Sequence, residues 1–180
     1  MIQGTNAFDS GVRSLVLAHQ NHVAHTFFLW ASRIGSVSPF CWAEVVVSVL
    51  FAVRGRMRAA VSGLLAPSLA VLTYLSTKRF LPRLRPPSAA ALHEATNSFP
   101  SAHATTSAAV CCTVAYLLWR EDYLSARLAL ILATVPPLII GVSRVYLDVH
   151  WSTDVIGGWI AGLVIAALAR VAYNRSPFFS

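Results

Sequence analysis

Lysine is nearly missing from this chain: Lys78 is the single example among 14 lysine and arginine residues. Charge of any kind is scarce, at 12% of the 180 residues, whereas soluble domains carry about 25%. With 56% hydrophobic residues and a mean hydropathy of +0.62, that scarcity excludes a soluble globular domain. Acidic residues number only seven, which leaves a net charge of +7. Such an excess invites a nucleic-acid partner. However, the basic residues sit at the ends of apolar runs and build no solvated face or basic helix, so that reading is excluded. Cysteine is limited to Cys41, Cys111 and Cys112, all inside apolar runs and without C-x-x-C spacing, and they read as inert thiols. No helical His-x3-His pair is present; His22 and His25, three apart, come nearest, and no metal site is expected. No internal repeat or low-complexity tract occurs, and Met1 to Ser10 lack the basic n-region and apolar stretch of a signal peptide.

What the chain does have is apolar runs long enough to cross a hydrocarbon core of roughly 30 Å at 1.5 Å rise per residue. The expectation is a single all-α domain over 1–180, a polytopic membrane bundle of about six transmembrane helices. Segment one, Ser10 to Ser32, is interrupted by His19, Gln20, Asn21, His22 and His25, so it is a weak span or an amphipathic interfacial helix. The others run from about Pro39 to Val53, Ala59 to Ser76, Ala104 to Trp119, Ala126 to Val142 and Thr153 to Ala172. Pro136 and Pro137 predict a kink in the fifth. Gly157, Gly158, Ala161 and Gly162 predict close helix approach in the sixth. Trp30, Trp42, Trp119 and Trp151 lie near span ends, as interfacial anchors do.

Loop charge orients the bundle. Arg54, Arg56, Arg58, Arg120, Arg127, Arg170 and Arg175 share one side, which the positive-inside rule makes cytoplasmic. Lys78, Arg83, Arg85, Arg144 and His150 then lie outside, against the rule, and an anionic ligand would explain them. They belong to three polar islands on one membrane face. In the first, Lys78 and Arg85 stand seven apart before Pro86; a mobile point charge and a planar fork of donors together suit a phosphate. The second, Pro100-Ser101-Ala102-His103, opens a helix whose capping serine and backbone N–H groups form an anion cradle beside an imidazole. The third, from Ser143-Arg144 to His150 and Asp154, places a carboxylate one turn from a histidine. A carboxylate on one ring nitrogen leaves the other nitrogen's lone pair available for attack. Burying Asp154 near lipid costs several kcal/mol unless it is paired. Taken singly, each island also has a bland reading: a lipid-headgroup cluster, a plain N-cap, a structural His–Asp bond. Asp148 reads as a solvated or salt-bridged loop residue. His93 and Glu94, in the long Pro86–Pro100 loop, read as idle exposed residues.

In order, Lys-x6-Arg-Pro, Pro-Ser-x-His and Ser-Arg-x5-His-x3-Asp resemble the type-2 phosphatidic acid phosphatase superfamily, over residues 78–154. Alanine at 102 replaces the glycine usual in the second motif and keeps the backbone N–H. The resemblance implies His150 as nucleophile forming a phosphohistidine, Asp154 as its orienting partner and His103 as general acid. It implies phosphoryl binding by Lys78, Arg85, Ser101, the Ala102 amide and Arg144, without metal or other cofactor. The implied substrate is a lipid phosphate, foremost undecaprenyl diphosphate or a similar isoprenoid diphosphate, then phosphatidylglycerol phosphate, phosphatidic acid or lipid A phosphates. The implied location is a bacterial inner membrane, with the site facing outward. Two other classes stand beside this reading: a vanadate-dependent haloperoxidase, which the apolar spans argue against, and a non-catalytic anionic-lipid binder or transporter, which has no use for a His–Asp pair.

Overall fold

Apolar runs of Leu, Val, Ile and Ala leave backbone N–H and C=O groups that hydrocarbon cannot satisfy, so each run closes its hydrogen bonds internally as a helix. A computed structural model describes residues 6–92 and 96–175, with backbone alone over 90–92; His93 and Glu94 lie outside the described residues. In chain order the helices are α1 (Ala7–Ala18), α2 (His22–Ile34), α3 (Val37–Val53), α4 (Met57–Phe80), α5 (Ala102–Arg120), α6 (Ala126–Tyr146) and α7 (Ser152–Arg175). A 3-10 segment, Pro87–Leu92, follows α4. The fold is all-helical, as expected, and the protein is an integral membrane protein.

The number of spans differs from the six segments read above. Among the described residues, four helices (α4, α5, α6 and α7) are long and apolar enough to cross a membrane, and five spans result if α2 and α3 count as one. Those two helices meet at 48° around Gly35 and Ser36. Polar residues account for the difference. His19, Gln20 and Asn21 end α1 after 12 residues, and the Asn21 side chain caps α2 by accepting from the Ala24 amide at 2.9 Å. Both ends of α1 are tied to the same end of the bundle: Asp9 reaches Thr153, and Gln20 donates to the Tyr146 carbonyl at 2.7 Å. So α1 lies across that end of the bundle, separate from α2. Pro136 and Pro137 are accommodated within α6, which is one helix from Ala126 to Tyr146.

Small residues put α5 at the centre. Of its apolar window 61% is buried, against 28% for α7, because Ala, Ser, Thr and Cys let neighbours close on it from several sides. On α7, Gly158 and Gly162 face it at backbone distance. A Cβ on Gly162 would sit 2.6 Å from the Thr105 carbonyl oxygen and from the Ala108 Cβ, and one on Gly158 would meet the Ser101 carbonyl oxygen at 2.9 Å. Large apolar side chains such as Leu64, Leu130, Val164 and Leu168 point outward, as a lipid-facing surface requires. At the opposite end Glu121 gathers Arg56 (3.3 Å) and the Tyr173 hydroxyl (2.7 Å). Trp30, Trp42 and Trp119 are exposed, as anchors should be. Trp151 instead is buried and donates to the Leu84 carbonyl at 2.9 Å, because the loop after α6 folds it inward.

Candidate active site

Four structural pieces deliver the polar islands to one end of the bundle: the last turn of α4 with the extended segment after it, the start of α5, the end of α6, and the loop entering α7. Leu147 ends α6, and Asp148 takes a left-handed conformation (φ 53°), which an aspartate tolerates. The chain thereby turns back, and the His150 and Val149 amides both donate to the Arg144 carbonyl at 3.2 Å. Arg144 and His150, six apart in sequence, become neighbours. Asp154 follows in the first turn of α7 and returns to the same loop.

The charge state of His150 follows from its partners. Arg85 Nη1 donates to His150 Nε2 at 3.0 Å and to the Val149 carbonyl at 2.8 Å. A guanidinium has donors only, so Nε2 must carry a lone pair, and the ring proton sits on Nδ1. Nδ1 lies 3.5 Å from Asp154 Oδ2 and 3.4 Å from Ser98 Oγ. Burial, opposed by Asp154 and helped by Arg85 and Arg144, pushes the imidazole down to about 4 from its usual 6.5. At neutral pH His150 is therefore an uncharged ring with an unshared pair aimed at a guanidinium. Asp154, fully buried, is saturated: Oδ2 accepts from the Trp151 amide at 2.9 Å and from the Ser98 hydroxyl, and Oδ1 accepts from Arg83 at 2.6 Å.

The remaining predicted residues converge around this pair. His103 lies in the electrostatic field of Arg144, His150, Arg85 and Lys78 together. Arg144 is buried on the last turn of α6 and donates to Ser32 of α2. Lys78 is held by the Asn97 carbonyl and by Thr96 Oγ1 at 3.3 Å, while Arg85 Nε donates to the Thr96 carbonyl at 2.7 Å. Ser101 is the buried N-cap of α5 and accepts from the Ala104 amide at 3.5 Å. One part of the expected cradle is corrected: the Ser101 amide is not a spare donor, because it bonds the Asp154 carbonyl at 3.1 Å. The amides of Ala102 and His103, in the first helical turn, have no intrahelical acceptor and remain suited to an anion. Asp148 is salt-bridged, taking both Arg13 bonds at 2.8 Å, and is buried rather than solvated.

Residues 58–177, about two thirds of the chain, match the PAP2 superfamily. The chain belongs to that superfamily. Over 96 residues it is 40% identical to phosphatidylglycerophosphatase B of Bacillus subtilis, covering 52% of this chain and 47% of that protein. Over 82 residues it is 38% identical to YbjG of Escherichia coli, whose name proposes an undecaprenyl-diphosphatase, covering 46% of this chain and 38% of that one. The chain thus spans about half or less of the length of these curated relatives. Two solved structures share the fold. A transmembrane PAP2-type phosphatidylglycerolphosphate phosphatase from Bacillus subtilis gives a TM-score of 0.81 at 26% identity, over 98% of this chain and 90% of that one. LpxE from Aquifex aeolicus gives 0.72 at 20% identity, over 95% and 99%.

Within this PAP2 chain several site residues carry no motif-spacing signal. Arg83 is one: it stands out in the sequence as a wrong-side cation, and alternation gives a further cue. In extended chain, residues two apart share a face, so Arg83 and Arg85 both turn inward while Leu84 is exposed. Thr96, Asn97 and Ser98 are short polar loop residues with no fixed offset from any motif. Asp9 lies in a different helix altogether.

Proposed function

We propose that this PAP2 protein hydrolyses a lipid phosphate or diphosphate by way of a phosphohistidine on His150. One observation carries the reading: the Nε2 lone pair of a neutral His150 faces the Arg85 guanidinium, with Asp154 behind the other ring nitrogen. A phosphoryl group drawn to Lys78, Arg85, Arg144, the Ser101 hydroxyl and the Ala102 amide sits in front of that pair. Nε2 attacks the terminal phosphorus, the bond from that phosphorus to its leaving oxygen breaks (the lipid ester oxygen of a monophosphate, the bridging oxygen of a diphosphate), and His103 delivers a proton to the departing oxygen. Asp154 stabilises the positive ring that results while keeping the Nδ1 proton in place. Water, deprotonated by His103, then attacks the phosphorus; the N–P bond breaks, and inorganic phosphate leaves as His103 and His150 return to their starting states. The clustered cations neutralise charge growing on the equatorial oxygens.

A lipid substrate is supported by the site's position at a bundle end, level with the α1 interfacial helix. Beside the first turn of α7, an apolar groove of about 260 Å³ runs between α1 and α6, lined by Phe8, Val12, Val145 and Ile156. The names of the two relatives fit an isoprenoid diphosphate or phosphatidylglycerol phosphate, and we favour undecaprenyl diphosphate. The arginine-rich end would lie in the cytoplasm and the site outside, in a bacterial inner membrane.

A phosphate-release panel tests this, using purified protein in detergent with undecaprenyl diphosphate, phosphatidylglycerol phosphate, phosphatidic acid and lipid A. Release from one of these, undiminished by chelator and abolished in His150→Ala while headgroup binding persists, is the expected result. Binding without release in the wild type would leave an anionic-lipid binder. Release that needs added Mg²⁺ would contradict the metal-free route.

A further inference from the structure

The interfacial helix α1 contributes a buried carboxylate that no motif includes. Asp9 is 1% exposed although it sits in the first turn of a short surface helix. Its Oδ1 accepts from the Thr153 amide at 2.9 Å, and its Oδ2 accepts from the Thr153 hydroxyl at 2.7 Å and from Arg83 Nη2 at 2.6 Å. The other nitrogen of the same guanidinium, Nη1, holds Asp154 Oδ1 at 2.6 Å and Thr153 Oγ1 at 2.7 Å. Arg83 is therefore a fork between two buried carboxylates, one of them the partner of His150.

The start of α7 explains why the fork needs both tines. Ser152 begins the helix, so Trp151 occupies the N-cap position, where a side-chain oxygen normally receives an amide from the first turn. An indole cannot accept that bond, and Trp151 uses its ring N–H on Leu84 instead. Asp9 supplies the missing acceptor from another helix, at Thr153, the residue immediately before Asp154. Asp154 makes the reciprocal half of a capping box by accepting from the Trp151 amide. The backbone that carries Asp154 and the cation that faces it are thus both fixed by Asp9. Arg13, one turn further along α1, pairs with Asp148 and holds the loop on the other side of His150.

We infer that Asp9 is a positioning residue for the reaction: it caps the catalytic helix in trans and, through Arg83, holds Asp154 in register with His150. The inference rests on the phosphohistidine reading above. It makes α1 part of the active site, though Asp9 touches neither His150 nor the phosphoryl-binding residues.

The test measures kcat and KM for Asp9→Asn, Asp9→Ala, Asp154→Asn and the double variant Asp9→Asn/Asp154→Asn, in detergent with undecaprenyl diphosphate and phosphatidylglycerol phosphate. Asp9→Asn keeps an acceptor for the Thr153 amide but loses the charge on Arg83, so the helix start survives. It should lower kcat by about 10-fold with KM changed less than about twofold, and Asp9→Ala should lower kcat further. On the Asp154→Asn background, Asp9→Asn should cost less than about twofold more, because its effect passes through Asp154. A wild-type kcat for Asp9→Asn overturns the inference, as do effects that multiply in the double variant. Full activity of Asp154→Asn alone would instead overturn the phosphohistidine reading, and the role of Asp9 would fall with it.

Discussion

At the end holding Lys78, Arg83, Arg85 and Arg144, the charges are drawn in: Arg144 is 5% exposed, and Asp9 and Asp154 are 1% and 0%. At the opposite end Arg54, Arg56, Arg120, Arg127, Arg170 and Arg175 are all exposed. There the guanidiniums lie over aromatic rings, Arg54 over Tyr123, Arg120 over Trp119 and Arg170 over Tyr116, at 5.2 to 5.9 Å. Burying an ion costs several kcal/mol unless geometry and hydrogen bonds return it. The arginine-rich end avoids that cost by leaving its cations in the interface, as topology signals can be. The other end carries the cost and meets it with a connected network running from Asp9 through Arg83 to Asp154, Ser98 and His150. Arg83 also lies over a ring, that of Trp151 at 5.9 Å, so ring contact alone does not separate the ends; burial and a connected network around a neutral imidazole do.

Removing one positive charge from each end is the sharpest way to break the comparison. Arg85→Ala takes away the donor facing Nε2 and one cation of the proposed phosphoryl cradle. Loss of one such preorganised donor costs roughly 10²-fold in rate. Phosphate release from whichever lipid of the proposed panel the wild type hydrolyses should fall by about that factor. An Arg85→Ala enzyme within a few-fold of wild type would make the site end no different in kind from the other.

Acid separates the ends next. In the unfolded chain His150 ionises near 6.5, whereas the folded environment holds it near 4. Between those values the unfolded state binds a proton that the native state refuses. Stability is therefore unaffected above pH 6.5 and declines as pH falls toward 4, by up to roughly 3 kcal/mol. His150→Gln removes that linkage. Thermal unfolding in detergent at pH 7 and pH 4.5 should show the wild type losing more stability on acidification than the variant; equal losses would place the titration elsewhere.

How far the sequence carried this picture depends on distance along the chain. Lys78 and Arg85 flank one short extended stretch, Ser101 and His103 share a helix start, and His150 and Asp154 are separated by a single turn. Local geometry is enough to bring each set together, and the family resemblance joined the sets. Asp9 meets Thr153 across 144 positions, through packing of α1 on α7 that no local rule encodes. Ser98 is invisible for another reason: a serine in a polar loop has no period to betray its facing. The four spans α4 to α7 were legible from apolar runs, whereas the first two segments were not resolved as spans. The division of the first segment into α1 and α2 was legible only as an interruption at His19 to Asn21, because whether such a helix crosses or lies flat depends on what Asp9 and Gln20 bind.

Packing between the ends offers a smaller effect. Gly162 lies about one turn deeper in α7 than Gly158, against backbone that runs up to Ser101. Adding a Cβ there places it 2.6 Å from the Thr105 carbonyl oxygen, which a side-chain rotation cannot relieve. Gly162→Ala should destabilise the protein by about 1–3 kcal/mol, read as a lowered unfolding midpoint in detergent. Because α5 must shift away from α7, the cradle at Ser101 should loosen, so KM should rise more than kcat falls.

The smallest effect belongs to the arginine-rich end. Arg56 is exposed and contacts Glu121 through Nε at 3.3 Å, while Glu121 keeps its Tyr173 hydroxyl bond at 2.7 Å. With the arginine side chain 58% exposed the pair contributes about 0–1 kcal/mol, and the largely buried carboxylate left behind still has a donor. Arg56→Ala should therefore lower the unfolding midpoint slightly and leave phosphate release within about twofold of wild type. Its charge has one other use, orientation, and six further arginines at that end share it. Insertion of Arg56→Ala should accordingly remain unchanged in a protease-accessibility assay. Removing all seven should scramble it, because none of the seven basic residues then left belongs to that end.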